Sequence, residues 1–234
     1  MIDFSTPLSA IKTGLSRENV IANNVANVNT TGFKSSDVYQ NGLNISGTQI
    51  SSISRDFTQG SMMLTGDNLS LTVAGDGFFK VLTPKATAYT RDGNFNIDAT
   101  GRVVTSSGYP ITPEIKLPEN TENLTITKKG EVFAYTNGES QRVGQIELVK
   151  FTNPSGLIAA GENLYYKSAN SGEPVPGLPG FGGLGEIVQG YLESSNVDLA
   201  SEFVHSIINE NAIKANINVI KVMDEMSQEI LRLT

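Results

Sequence analysis

The sequence predicts an α+β fold in which long N- and C-terminal helices form a coiled coil and a central all-β domain lies between them. Glycine, which interrupts helices, is concentrated in the middle of the 234 residues: 22 of the 23 glycines fall between Gly32 and Gly190. Both ends carry apolar residues at helical spacing, whereas segments of the middle alternate apolar and polar residues as half-buried strands do.

Segment 1–31 is predicted to be the N-terminal helix of the coiled-coil core. Ser5 or Thr6 can cap its start, and Pro7 suits the first helical position, where no N–H partner is needed. The helix ends in a cluster of turn-forming residues that precedes Gly32. The apolar positions expected to face the partner helix are Leu8, Ile11, Leu15, Ala22 and Val25.

Segment 187–234 is predicted to hold the C-terminal helix, which starts near Ser195 with Asp198 completing a capping box. It is about 55 Å long and the first helix about 33 Å, so about 20 Å of its apolar face has no cover. Self-association through the paired termini would cover it; a helical hairpin packed on the β domain of the same chain is the alternative. The expected contact positions are Val204, Ile208, Ala212, Ala215, Val219, Val222, Met226, Ile230 and Leu233.

Residues 68–186 are predicted to form the central β domain, and residues 32–67, rich in Ser, Gly, Asn and Thr, an extended connector arm. Residues 78–82 are one of several short runs that favour strands. The dipeptides Asp92-Gly93 and Lys129-Gly130 favour hairpin turns between such runs. Short strands at this spacing are typical of a sandwich or barrel.

Composition excludes several function classes. The net charge of −7 argues against broad nucleic-acid binding, which needs an excess of Lys and Arg to neutralise phosphates. The absence of cysteine rules out disulfides, thiol nucleophiles and Cys-based zinc sites. The N-terminus lacks the basic and apolar regions of a cleaved signal peptide, and no run approaches the roughly 18–20 apolar residues of a membrane span. We therefore expect neither nucleic-acid binding nor membrane insertion.

No motif in the chain carries a catalytic signature. Residues 180–185 match G-x-G-x-x-G, but a Pro-rich loop precedes them in place of a strand. The run from Asp92 resembles the start of a calcium loop, yet Ile97 and Val103 occupy the positions that need Gly and Glu. His205 is the one histidine, and nothing suggests a nucleophile or an orienting acid for it. We expect no enzyme activity, no cofactor and no metal.

Five runs in order carry a more specific signal: ANNVANVNTTGFK at 22–34, GDGFF at 75–79, YTRDGNF at 89–95, GENLY at 161–165 and QGYLESSNV at 189–197. Together they resemble the motifs of the bacterial flagellar axial proteins, the rod and hook family. Asn and Gly tolerate left-handed backbone, so the first run can end a helix and redirect the chain without any ligand. Its motif residues are Asn23, Asn24, Asn27, Asn29, Thr31, Gly32 and Phe33.

The resemblance implies a structural subunit that polymerises helically, with the terminal helices as an inner coiled-coil tube and the β domain as an outer layer. It implies export through the flagellar type III apparatus without signal cleavage and a place in the basal-body rod across the periplasm. The implied partners are further copies of the chain, other rod and hook proteins, and the ring proteins around the rod.

Within the family the motifs are most like distal-rod subunits, although the segment after Phe33 is short for one. A proximal-rod or hook-type subunit is the alternative, and a scaffold or adaptor with a non-rod role is a weaker one. A secreted carbohydrate-binding or carbohydrate-active β protein is the candidate from a different class. It would work without the terminal helices.

Overall fold

The computed structural model describes residues 4–43, 47–136 and 138–233. In chain order the elements are α1 (Ser5–Ala26), β1 (Ser36–Leu43), β2 (Gly47–Arg55), β3 (Met62–Leu64), β4 (Leu71–Ala74), β5 (Phe78–Leu82), β6 (Thr87–Thr90), β7 (Phe95–Ile97), β8 (Val103–Thr105), β9 (Asn123–Ile126), β10 (Glu131–Thr136), β11 (Glu139–Gln145), β12 (Leu148–Lys150), a 3₁₀ turn (Pro154–Gly156), β13 (Ile158–Gly161), β14 (Leu164–Tyr166), β15 (Val175–Gly177), β16 (Glu186–Gln189), β17 (Tyr191–Glu193) and α2 (Leu199–Leu233).

The chain divides into two compact units. The first contains Met1–Val28, Ser35–Asp56 and Val197–Thr234, and therefore both helices and the β1–β2 pair. The second contains Asn29–Lys34 and Phe57–Asn196.

In the first unit α1 and α2 run antiparallel, and polar groups join them. The Nδ2 group of Asn209 donates to the backbone oxygen of Gly14 at 2.9 Å and to Oε2 of Glu18 at 2.7 Å. Ser206 donates to the other oxygen of Glu18 at 2.7 Å. A β-carbon added at Gly14 would lie 2.7 Å from Cγ1 of Ile213, so the missing side chain permits this close approach.

The predicted fold class, with terminal helices that form a coiled coil, is corrected by this arrangement. Among the described residues the chain has two α-helices, one at each end, and a large β-rich middle. The α2 residues turned toward α1 include Glu202, Ser206 and Asn209, whereas the predicted apolar positions from Val204 to Ile230 are exposed. Within the described residues the predicted seam does not join the helices, because the face of α2 that contacts α1 is offset from the apolar positions.

The helix starts also differ from prediction. Helix α1 begins at Ser5 after Phe4, and no side chain caps it. Helix α2 begins at Leu199, later than predicted, because Asp198 is itself the cap and its Oδ1 accepts from the N–H of Ala200 at 3.0 Å.

The second unit is built from antiparallel sheets. Its largest sheet has six strands in the order β13-β14-β6-β5-β12-β15, and β11-β10-β9 form a sheet of three. Three two-stranded pairs, β16-β4, β17-β3 and β7-β8, complete the described strands. Phe79, Phe95 and Leu148 are among the fully buried residues of its main core, and Phe79 meets Phe95 edge to face.

Several strand predictions are confirmed and one turn is wrong. The run 78–82 is β5, and Lys129-Gly130 joins the antiparallel pair β9 and β10. Asp92-Gly93 makes no hairpin, because β6 lies in the six-stranded sheet whereas β7 pairs with β8. Gly93 instead packs against the start of β4, where its oxygen accepts from the N–H of Leu71 at 3.0 Å.

Inside the segment expected to be a connector arm, Ser36–Leu43 and Gly47–Arg55 form the antiparallel β1–β2 pair. The predicted division of the chain into segments 1–31, 32–67, 68–186 and 187–234 stays a prediction. Neither helix has an apolar stretch of the length that crossing a bilayer demands, within the residues described.

Candidate assembly surface and motif cluster

The apolar stripe of α2 is a solvent-facing surface. We call the predicted positions from Val204 to Ile230 the α2 stripe. Its large residues are between 48 % and 59 % exposed, and its two alanines are exposed as well. Leu233 is a predicted position whose side chain lies outside the described residues. Hydrophobic surface of this extent on a helix marks an interaction site.

The predicted α1 positions are divided between the surface and partial burial. Leu8, Leu15 and Ala22 are exposed, whereas Ile11 and Val25 are partly buried. Across the described part of the first unit, Ile21 is the one apolar residue besides Pro7 that is buried. This unit therefore has very little apolar core of its own, and most helix stability in proteins comes from packing of an apolar face.

The motif residues that end α1 have different roles. Asn24 is 1 % exposed; its Nδ2 donates to the oxygen of Ser36 at 2.9 Å and to Oε1 of Glu202 at 2.8 Å. Its Oδ1 accepts from the N–H of Ser36 at 3.0 Å. Asn27 follows the helix and donates to the backbone oxygen of Asn23, which is itself exposed. Asn24 therefore joins α1, β1 and α2 within the first unit.

The next motif residues belong to the second unit. The hydroxyl of Thr31 donates to Oδ1 of Asp92 at 2.9 Å, and the N–H of Gly32 donates to the oxygen of Glu193 at 2.8 Å. Gly32 has φ +66°, and a β-carbon there would lie 2.5 Å from the backbone nitrogen of Asp92. Phe33 is buried, whereas Asn29 is exposed. Only glycine fits position 32, for both conformational and steric reasons.

A buried charge cluster lies beside this segment, and we call Lys34, Arg91 and Glu193 the motif cluster. The Nζ of Lys34 donates to Oε1 of Glu193 at 2.6 Å and to the oxygen of Thr58 at 2.6 Å. The N–H of Gly60 donates to the same carboxylate oxygen at 3.0 Å. Arg91 approaches the other oxygen of Glu193 at 3.7 Å. The side chains of Lys34 and Glu193 are fully buried.

The cluster places two cations around one carboxylate. Burial lowers the pKa of the Arg91 guanidinium, and the neighbouring Glu193 carboxylate partly opposes that shift. Arg91 also donates to the oxygen of Gly75 at 2.8 Å and lies 5.2 Å from the centre of the Phe78 ring. These contacts compensate a charge that would otherwise be costly to bury.

All five sequence motifs meet in or beside this cluster. Lys34 comes from the first motif, Gly75 from the second, Arg91 from the third and Glu193 from the fifth. The fourth contributes Asn163, whose Nδ2 donates to the oxygen of Thr31 at 2.9 Å. The motif residues thus fix the chain segment that follows α1 into the second unit.

These three charged residues lie within the sequence motifs, but the motifs alone predict no role for them. The available signal was local: Lys34 directly follows the apolar Phe33, and Glu193 directly follows the apolar Leu192. Charges at such positions are buried only when they are paired. Which charges pair with one another is visible only in the folded structure.

The candidate chemical motifs have structural explanations. The glycine run 180–185 lies in the loop between β15 and β16, and a strand, not a helix, follows it. Oδ1 of Asp92 accepts from Thr31 and from the N–H of Asn94, so it stabilises a turn. Asp98 is likewise engaged with Thr100 and with other groups of its own turn. His205 is exposed on α2.

Family models match three parts of the chain. Residues 5–34 match "Flagella basal body rod protein", and residues 72–134 match "Flagellar hook protein FlgE/F/G D1 domain". Residues 188–233 match "Flagellar basal body rod FlgEFG protein C-terminal". The first and third matches cover the two helices and the segments beside them.

Curated relatives match along nearly the whole chain. The flagellar basal-body rod protein FlgG of Buchnera aphidicola subsp. Acyrthosiphon pisum is 39 % identical over 95 % of this chain and 97 % of its own length. FlgG of Borreliella burgdorferi is 40 % identical over 88 % of each. FlgF of Caulobacter vibrioides, also a flagellar basal-body rod protein, is 32 % identical over 94 % of each.

The chain therefore belongs to the family of flagellar basal-body rod proteins. It is a structural subunit of the flagellar rod and not an enzyme, and its similarity to the FlgG relatives assigns it to the distal rod. The rod-family prediction and its distal-rod form are thereby confirmed. Membership implies polymerisation into the rod together with other flagellar components.

Proposed function

We propose that this subunit polymerises helically into a drive shaft through the α2 stripe and the predicted apolar positions of α1. Leu8, Ile11, Leu15, Ala22 and Val25 of one copy pack against the α2 stripe of a neighbouring copy. Such a contact joins two different surfaces and does not close on itself, so it generates a filament. The polymer carries torque across the periplasm.

The observation that carries this proposal is the contrast between the two faces of α2. The face turned toward α1 presents Glu202, Ser206 and Asn209, whereas the stripe presents large apolar residues to solvent. A helix of 35 residues that exposes such a stripe gains stability when another copy covers it, because burial of apolar area is favourable. The scarcity of buried apolar residues in the first unit supports the same conclusion.

The motif residues have an architectural role in this proposal. Asn24 fixes α1 to β1 and α2 in the first unit, and Gly32 makes the turn that leads the chain into the second. The other motif residues end α1 and shape the segment that leads into the second unit; they are Asn23, Asn27, Asn29, Thr31 and Phe33.

The proposal extends to the route and the neighbours of the subunit. The chain leaves the cytoplasm through the flagellar type III apparatus without cleavage of a signal peptide. It then contacts other rod and hook proteins along the axis and ring proteins around it. The family membership and the sequence motifs support this assignment.

The test replaces stripe residues by aspartate. Val219→Asp and Ile208→Asp place a carboxylate in the contact, so we expect rods to be absent or truncated in electron micrographs of basal bodies and motility to be lost. Thermal unfolding of the purified chain should be unchanged, because both residues are exposed.

The matched control is Lys221→Asp, at an exposed position of the same helix. It lies two residues from Val219, about 200° round the helix axis. Normal rods are expected for this variant. Normal rods and motility in the Val219 and Ile208 variants would overturn the proposal.

A further inference from the structure

Strand β3 of the second unit presents three consecutive apolar residues to solvent. Met62, Met63 and Leu64 are 41 %, 48 % and 67 % exposed. Successive side chains of a strand point to opposite faces, so β3 is open on both faces. Among the described strands it pairs only with β17, in a two-stranded sheet, and its other edge has no strand beside it. A run of three exposed apolar residues at a strand edge is a liability unless a partner covers it.

The same unit has an apolar groove. We call it the Phe181 groove; it has a volume of about 300 Å³ and lies beside β12 and β15. Val175, Leu178 and Phe181 in its wall are themselves well exposed, and Phe151 and Leu184 line it further in. An apolar cavity of about 150 Å³ holds a benzene molecule, so this groove has room for two side chains of that size.

One charge beside each surface is of opposite sign to the other, whereas Lys150 in the groove wall is paired with Asp76 at 3.2 Å. Asp67 is the one charged residue in the segment 57–70 and is exposed. Lys129 lies beside the groove, with its Nζ 5.7 Å from the centre of the Phe181 ring. Within the described part of the chain neither of these two side chains forms an ion pair. An acidic group next to β3 therefore matches a basic group next to the groove.

We propose that β3 of one copy docks into the Phe181 groove of the next copy, with Asp67 of the first facing Lys129 of the second. This inference rests on the proposed function, because it needs polymerised copies, and it adds a contact between second units to the contact between helices. The strand and the groove are different surfaces of the same chain. The contact therefore runs head to tail and leaves a free strand and a free groove for further copies.

Disulfide cross-linking tests this contact directly, since the chain has no cysteine of its own. Leu64→Cys and Phe181→Cys are introduced on separate copies with different tags, expressed together, and oxidised in isolated basal bodies. We expect a cross-linked dimer that carries both tags. The control pair, Ser107→Cys with Phe181→Cys, uses an exposed residue of the second unit outside both surfaces and should give no dimer.

A charge exchange tests the orientation. Asp67→Lys on the copy that carries Leu64→Cys should lower the yield of mixed dimer about threefold, the size of effect expected of an exposed ion pair. Adding Lys129→Asp to the copy that carries Phe181→Cys should restore the yield. An unchanged yield with Asp67→Lys, or no restoration by the second exchange, would overturn the assigned orientation.

The outcomes separate this inference from the proposed function. Rods that contain both variants without a mixed dimer would overturn the docking and leave helical assembly standing. A cross-link that joins the Leu64→Cys copy to a different flagellar protein would likewise overturn the docking and leave helical assembly standing. Normal rods from the Val219→Asp and Ile208→Asp variants would defeat the proposed function itself, whatever the cross-linking shows.

Discussion

The Nζ atom of Lys34 lies 2.6 Å from a carboxylate oxygen of Glu193, a residue 159 positions further along the chain, and both side chains are fully buried. Removing one member of a buried ion pair costs about 3–5 kcal/mol, because the other charge is left uncompensated. Glu193→Leu should reach this range, since it strands both Lys34 and Arg91. Lys34→Met should cost less, because Glu193 keeps Arg91 and the N–H of Gly60.

Urea unfolding of the purified chain measures both free energies. The double variant Lys34→Met with Glu193→Leu serves as the control, and it should be more stable than Glu193→Leu alone, because fewer buried charges lack a partner. A larger loss for Lys34→Met than for Glu193→Leu would contradict the assigned geometry of the cluster.

Gly32→Ala should destabilise the second unit by more than Gly108→Ala. Both glycines have a positive φ, +66° and +84°, so alanine costs about 1–2 kcal/mol of backbone strain at either position. A β-carbon at Gly108 meets open space, whereas one at Gly32 meets the backbone of Asp92. Thermal unfolding measures the loss of stability in each variant, and the difference between the two losses is the steric cost at Gly32. Equal losses would show that the close approach of Gly32 to Asp92 is unimportant.

Asn24→Ala should open the contact between α1 and β1, whereas Asn23→Ala should not. The first change removes three hydrogen bonds of a buried amide and leaves Ser36 without its partner, at a cost of about 2 kcal/mol. Both changes raise helix propensity by a similar amount, so the exposed Asn23 is a matched control. Hydrogen exchange at the amide of Ser36 is the measurement, and it should quicken only in Asn24→Ala.

Asp92→Asn should remove a loss of stability that sets in as the pH rises. Burial raises the folded-state pKa of Asp92 above its ordinary 3.8, although hydrogen bonds from Asn94 and Thr31 act against the shift. The folded state therefore binds the proton more tightly than the unfolded state, and the stabilisation, complete below pH 3.8, is lost as the pH passes the folded-state pKa.

Melting temperatures of the wild-type chain and Asp92→Asn, measured from about pH 3.5 to about pH 7, test this sign. The asparagine oxygen can still accept from Thr31 and Asn94, but asparagine does not titrate. The melting temperature of the variant should therefore rise relative to that of the wild type as the pH increases. A variant that loses stability relative to the wild type as the pH rises would contradict it.

Local patterns in the sequence predicted local structure well. The scarcity of glycine and the apolar spacing at the ends predict the two helices, and the apolar run 78–82 predicts β5. The apolar spacing of α2 identified the stripe from Val204 onward, but it could not say which face α1 would cover. Periodicity defines a face and not its neighbour, and here polar groups such as Asn209 make the contact within the chain.

Contacts between distant parts of the chain could not be predicted from the sequence, for a related reason. Asp92-Gly93 has the residues of a hairpin turn, yet packing of Gly93 against β4 takes precedence over that local preference. Lys34, Arg91 and Glu193 lie in three separate motifs, and only the folded sheets bring them together. Buried charges obey pairing rules that a single sequence does not reveal.

The pairing of Lys34 with Glu193 has a consequence for the order in which the second unit folds. Its earliest and latest segments meet in one contact, and contacts of such high sequence separation form slowly because a long loop must close first. A chain that ends before Glu193 lacks the counter-charge for Lys34 and the partner strand of β3. We expect incomplete chains to stay unfolded and open to proteolysis. Only a chain long enough to include Glu193 and β17 can complete the second unit.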